Sequence, residues 1–225
     1  MKETSLHAGL KAWYARDSCP VEQVVDGYLI DVLCGGELIE IQTRQFSALR
    51  RKLEDLLERH VVRVVYPVAE KRRILRIDSA GKRVSVRQSP RRGSVYEIFN
   101  ELTSLHSAFT HPNFRLDVVM VHEEQVWQDD GQGSWRRRYW SQADRQLVAV
   151  AGLESFDKPA DYLRLLPAGL PGDFTAKDVL LGLALKGRLQ AQQRLVGRMV
   201  RSLRLLGVIE QTGKRGQAYL YRLTT

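Results

Sequence analysis

Cysteine is nearly absent. Of 225 residues only Cys19 and Cys34 carry a thiol, and their spacing fits no metal-ligand pattern. That excludes a cysteine-built metal site and makes a reducing cytoplasm the simplest setting. Long apolar runs are missing too. None approaches the length that spans a bilayer, and the opening stretch MKETSLHAGLKAWYARD lacks the continuous apolar core of a signal peptide. No membrane partner is expected. Internal repeats and low-complexity segments are also lacking. With 44% apolar and 27% charged residues the make-up is that of a globular chain, as one large domain or two small ones. Acids are scarce, at 26 against 35 lysines and arginines, a formal net charge of +9. Such an excess favours a polyanionic partner.

What is present concentrates between Tyr28 and Pro67. YLIDVL and ELIEIQT alternate with the period of strands, and Gly35-Gly36 between them suits a two-residue hairpin turn because both glycines tolerate positive φ. That loop pairs Cys34 with Glu37, Leu33 with Leu38, Val32 with Ile39 and Asp31 with Glu40. Two carboxylates then face each other, a destabilising arrangement unless compensated, and a divalent cation is the natural compensation. The same face carries Leu29, Leu33 and Leu38, so it is not simply a wet face. Phe46, Leu49, Leu53, Leu56 and Leu57 follow at helical spacing, and Val61 to Val68 reads as a strand covered on both sides. A strand, helix, strand crossover of this length favours a right-handed parallel connection.

This constellation resembles the PD-(D/E)XK nuclease superfamily over roughly residues 1–68. Asp31 matches its first acid and Glu40 its second, while Gln42 stands where the family usually has Lys. The resemblance implies a restriction-endonuclease-like α/β fold, a mixed sheet flanked by helices, with Asp31 and Glu40 holding Mg²⁺ or Mn²⁺. It further implies that Gln42 orients the attacking water and that a migrated Lys52 or Arg50 neutralises the scissile phosphate. Asp26, in the Asp26-Gly27 turn, is the rival first acid, although turns recruit Asp for their own backbone bonds. An acid from the first helix, expected over residues 4–15 with Thr4 or Ser5 as its cap and Leu6, Leu10 and Trp13 on its stripe, would be Glu3. His7, one turn on, reads as a surface residue, though the same cleft is within its reach.

From Lys71 to Arg92 the chain is strongly basic. ILRID and RVSVRQ alternate as short strands, and Arg91 and Arg92 follow in SPRRGS as phosphate contacts or as charges guarding an edge hairpin. Ser94 to Glu97 reads as a capping box opening a helix with Val95, Ile98, Phe99, Leu102, Leu105 and Phe109 on its stripe. Trp127, Trp135 and Trp140 interleave with Arg136, Arg137 and Arg138, the mixture nucleic-acid surfaces use, or else serve packing. His122-Glu123-Glu124 has no partner that would make it a metal site. Proline and glycine between 156 and 172 mark a linker around a short helix, DYLRLLP.

Residues 173–225 look like a winged helix-turn-helix. A capped helix, the turn Lys186-Gly187, a longer helix from Leu189 to Leu206 with Leu195, Met199, Leu203 and Leu206 buried, and two strands around Thr212 to Gly216 follow in that order. This segment holds ten basic residues and three acids, +7 of the chain's +9. Arg194, Arg198 and Arg201 are expected on the recognition helix and Lys214 and Arg215 on the wing. The expected organisation is therefore a nuclease-like domain over 1–155, a linker over 156–172 and a winged helix over 173–225. The expected activity is metal-dependent cleavage of DNA, ahead of RNA, in a prokaryotic cytoplasm, serving restriction, phage defence or repair. A non-catalytic DNA-binding regulator is the alternative, and a homodimer is open.

Overall fold

The computed structural model describes residues 4–43, 45–105, 107–135 and 139–224. Glu3, Arg136, Arg137 and Arg138 lie outside the described residues.

Helix α1 (Ser5–Tyr14) starts where Thr4 accepts a hydrogen bond from the His7 amide, and it buries Leu6 and Leu10. Strands β1 (Val21–Val25), β2 (Tyr28–Cys34) and β3 (Glu37–Ile41) form two consecutive hairpins. Asp26-Gly27 makes the first turn. Gly35 and Gly36 make the second, at φ +59° and +82°, where a Cβ would be strained. The β2–β3 register runs Cys34↔Glu37, Leu33↔Leu38, Val32↔Ile39, as the sequence predicts. Helix α2 (Arg50–Leu57) leads to β4 (Val62–Ile77), which is one strand of 16 residues and not the two pieces expected. Strand β5 (Arg83–Gln88) returns along it. The helix expected from Ser94 is broken into a 3-10 turn, a single turn α3 (Phe99–Leu102) and a second 3-10 turn, while Ile98, Phe99, Leu102 and Leu105 still reach the interior. Strands β6 (Phe114–Asp129) and β7 (Trp140–Phe156) complete a seven-stranded sheet in the order β1-β2-β3-β4-β6-β7, with β5 beside β4. The class is mixed α/β, with helices against a mixed sheet.

Two compact units emerge. The first comprises Met1–Arg44, Arg63–Val95 and Asp117–Glu154; the second comprises Gln45–Val62, Tyr96–Leu116 and Ser155–Thr225. In the first, Leu6 and Leu10 of α1 cover Val32, Ile39, Ile41, Val65, Val119 and Val121. Buried polar pairs pin its strands. Arg63 grips Glu37 with two nitrogens at 2.7 and 3.2 Å and reaches Asp117 at 2.8 Å, and the Tyr14 hydroxyl donates to Asp117 at 2.6 Å. Burial and the neighbouring Asp117 charge push the Tyr14 phenol's pKa far up, so it stays a donor. Glu123, whose side chain is fully buried, accepts from Arg72 at 2.5 Å and from Arg145 at 2.6 and 3.0 Å. Arg72, Glu123 and Arg145 thereby tie β4, β6 and β7 together.

Two expectations need correcting. Cys19 and Cys34 are joined in a disulfide, their Cα atoms 5.1 Å apart, because the Leu33 amide bonds Pro20 O and draws the two segments together. Cysteine usage thus gives no ground for a reducing compartment. Leu29 is 60% exposed, since it pairs with Val24 on the edge strand β1, whereas Leu38 is buried. No helix among the described residues is long and apolar enough to cross a membrane.

In the second unit α2 buries Leu53, Leu56 and Leu57. A 3-10 helix over Pro159–Leu165 buries Tyr162 and Leu165, with Tyr162 stacked on Phe156 at 4.5 Å. Helix α4 (Ala176–Leu183), helix α5 (Leu189–Leu205) and the hairpin β8 (Ile209–Arg215) and β9 (Ala218–Leu223) complete the chain.

Candidate functional site

The β2–β3 hairpin keeps the expected register up to the residues beside Asp31 and Glu40, and Asp31 has two further partners. Next to the Val32↔Ile39 pair, Asp31 Oδ2 accepts a hydrogen bond from the Ile41 amide at 2.8 Å. His7 Nε2 of α1 lies 3.2 Å from the same oxygen. Burial pushes the Asp31 carboxyl up, but the bonds from His7 and Ile41 together outweigh it and hold the group below its ordinary range. Glu40 precedes Ile41 on β3 and is 5% exposed. Gln42 sits just past β3, its amide donating to Val65 O at 2.9 Å. Lys52 is half-buried on α2 and belongs to the other unit, as does Arg50, which pairs with Glu54. Asp31 is thus joined to His7, the residue read as mere surface. The signal was there: His7 adjoins Leu6 and precedes Leu10 by three positions, on the border of the buried stripe.

A hard divalent cation takes carboxylate oxygens. Among the described residues no group of three or more His, Cys, Asp and Glu side chains converges. Asp31 and Glu40 are the donors at hand, and Oδ2 of Asp31 already receives one firm donor and faces His7.

The basic hairpin closes on Asp78, whose carboxylate accepts from the amides of Ala80 at 3.0 Å and Lys82 at 2.8 Å. All of β5 is exposed. Arg91 and Arg92 are exposed after it, and the Gly93 amide returns to Ala69 O at 2.9 Å. A Cβ on Gly93 would lie 2.5 Å from Val68 Cγ1, so only glycine lets the chain lie against β4 here.

At the C-terminal end, Phe174 forms an isolated antiparallel β-bridge with Tyr221 of β9, beside the two-stranded β8–β9 sheet. Thr175 and Asp178 then cap α4 reciprocally. Helix α5 buries Val196, Met199, Val200 and Leu203, a stripe turned slightly from the expected Leu195 and Leu206, which are half-buried. Arg194, Arg198 and Arg201, at positions i, i+4 and i+7, share the opposite, exposed side. Arg198 donates to Asn100 Oδ1 at 2.5 Å, where α3 packs on α5. Lys214 and Arg215 are exposed at the tip of the β8–β9 hairpin, and Arg222 pairs with Asp173 at 2.9 Å.

The profile of a family described as a domain of unknown function (DUF8091) matches residues 4–157, from α1 to the end of β7. A protein of Treponema pallidum (strain Nichols), bearing the name "Uncharacterized protein", is 31% identical over 223 residues, which is 98% of this chain and 85% of that one. No solved structure matches.

Proposed function

We propose, for a chain that belongs to the DUF8091 family, that it is a DNA-binding protein whose residues 173–225 act as a winged helix-turn-helix on duplex DNA. The observation that carries this reading is the exposed side of α5, where Arg194, Arg198 and Arg201 stand opposite the buried stripe. The Phe174–Tyr221 bridge, the capped α4 and the Lys214-Arg215 tip support it, since a recognition helix in the major groove needs a wing to meet the backbone. Arg194 and Arg201 are the primary contacts in this reading, because Arg198 already has Asn100. The test is electrophoretic retardation of a short duplex by the full chain. Arg194→Ala with Arg201→Ala should weaken retention about tenfold or more, as the loss of two phosphate contacts does. Unchanged affinity in that variant, with an intact fold, defeats the reading.

A second reading adds Mg²⁺- or Mn²⁺-dependent phosphodiester cleavage on a restriction-endonuclease-like sheet. It is favoured by the β2–β3 register, which follows the nuclease-like spacing up to the residues beside Asp31 and Glu40. Those two carboxylates would hold the ion, and the ion, when bound, would supply an acidified water and offset phosphate charge. Plasmid incubated with the protein and either ion, beside Asp31→Ala and Glu40→Ala, decides it. Cutting by the parent alone supports catalysis, and equal cutting by all three, or none, rejects it.

A further inference from the structure

Strands β4, β5, β6 and β7 of the first unit carry a pocket of about 420 Å³ on the sheet. The volume is in the range of small-ligand sites. Its lining is unusual in kind. Arg72, Arg76 and Arg87 contribute cations, Trp127 and Trp140 contribute indoles, and the lining includes no acid. The pleat explains the convergence, because Arg72, Ile74 and Arg76 alternate onto one face of β4 and Ile74 pairs directly with Arg87 on β5. Trp127 and Trp140 bring the facing strands' rings to the same pocket.

The side chains are held in place from behind. Arg72 spends its charge on Glu123, which Arg145 also grips. Gln125 donates to Glu123 at 2.9 Å and accepts from the Trp127 indole N–H at 3.2 Å, so Trp127 is oriented through a buried chain of hydrogen bonds. The Arg76 guanidinium lies over the Trp140 ring, 5.1 Å from its centre. Arg76 and Arg87 remain as cations without a carboxylate partner among the described residues, Arg87 on a fully exposed strand. Rings at fixed angles beside cations are what a base and its phosphate require. Stacking tolerates any base, and the cation meets the backbone charge.

We propose that this pocket binds a nucleotide, its base against the indoles of Trp127 and Trp140 and its phosphate against Arg76 and Arg87, either free or as one unit of a single strand. This site lies on the DUF8091 part of the chain, in the first unit, and α5, which carries the proposed duplex contact, belongs to the second.

The experiment uses the full chain and a fluorescein-labelled oligothymidylate, read by anisotropy at moderate salt, with unlabelled dTMP, inorganic phosphate and a duplex of equal length as competitors. Arg87→Gln should weaken binding about tenfold, and Trp127→Ala about as much, with Trp127→Phe recovering most of it, as loss and restoration of a stacked base imply. Circular dichroism checks each fold, and Arg87, being exposed, keeps the test decisive if Trp127→Ala unfolds. Displacement by dTMP at concentrations like those of the unlabelled oligomer assigns a free nucleotide, and displacement only by the oligomer assigns a strand. Wild-type affinity in Arg87→Gln overturns the proposal. So does inorganic phosphate competing as well as dTMP, or Arg194→Ala with Arg201→Ala losing the oligothymidylate as fully as Arg87→Gln does.

Discussion

At the scale of single residues the buried acids set the terms. Glu123 keeps no exposed side-chain surface and balances Arg72, 24% exposed, and Arg145, 8% exposed. Burial pushes its carboxyl up, yet Arg145 and Arg72 prevail and hold it below the ordinary glutamate value. Glu123→Gln keeps the shape and strands the Arg145 charge, so it should destabilise the chain by about 3 kcal/mol, seen as a lower urea midpoint. Proton linkage gives a second outcome. Asp31 and Glu123 both have folded pKa values below their unfolded ones. Their contribution is therefore complete above the unfolded values, about 4, and disappears as pH falls through the folded values. Stability measured by urea titration should hold between pH 7 and 5 and decline below about 4. Asp31→Asn should be less stable at neutral pH and should lose less on acidification. An unaltered acid response in that variant would show that His7 and the Ile41 amide do not stabilise the ionised form.

At the scale of elements the clearest prediction concerns the β2–β3 turn. Gly35 and Gly36 both sit at positive φ with open space around their Cα atoms, so the cost of a side chain there is conformational alone. Gly36→Val should cost about 1–2 kcal/mol, as a left-handed residue with a Cβ does, while leaving the Leu33↔Leu38 register intact by amide exchange. This hairpin was legible because its signals are local: period two on each arm, and two residues that tolerate φ > 0. The β8–β9 hairpin and the arginine side of α5 were legible for the same reason, since one helix or one turn contains the whole pattern. Other features depend on residues far apart in the chain. The Asp31–His7 contact spans 24 positions and the Glu123–Arg72 contact 51; a local pattern sets His7 on the border of the buried stripe, but none names the distant partner in either pair. In the sequence, HEE shows only that it lacks a metal-site partner, and the arginines that hold Glu123 do not appear. The Cys19–Cys34 disulfide depends on a backbone bond that only the fold creates. Residues 95–109 misled in the opposite way: their apolar spacing is helical, and the same side chains reach the interior from a chain folded into 3-10 and α turns.

At the scale of the whole molecule charge is distributed unevenly, and binding should report it. Residues 173–225 hold ten basic and three acidic residues, +7, which leaves +2 for the other 172. Some of that charge is engaged internally, as Arg222 is with Asp173. Arg194, Arg201, Lys214 and Arg215 are exposed and are the residues proposed to meet phosphates. Each phosphate neutralised on a duplex releases counterions, so the logarithm of affinity falls with the logarithm of salt by about 0.9 per contact. Duplex binding by the parent should therefore be steeply salt-dependent. Arg194→Ala with Arg201→Ala, and separately Lys214→Ala with Arg215→Ala, should each flatten the slope by about 2. The single-strand affinity of the β4–β7 pocket should respond instead to Arg87→Gln, with a loss of about 0.7 in its own slope, the single-strand value for one contact. Parallel slopes for parent and α5 variant, measured between low and moderate salt, would mean that the C-terminal arginines do not touch the backbone. The +7 would then have to be explained by contact with an acidic protein surface, which the same titration with a heparin competitor and an acidic polypeptide separates by their different charge densities.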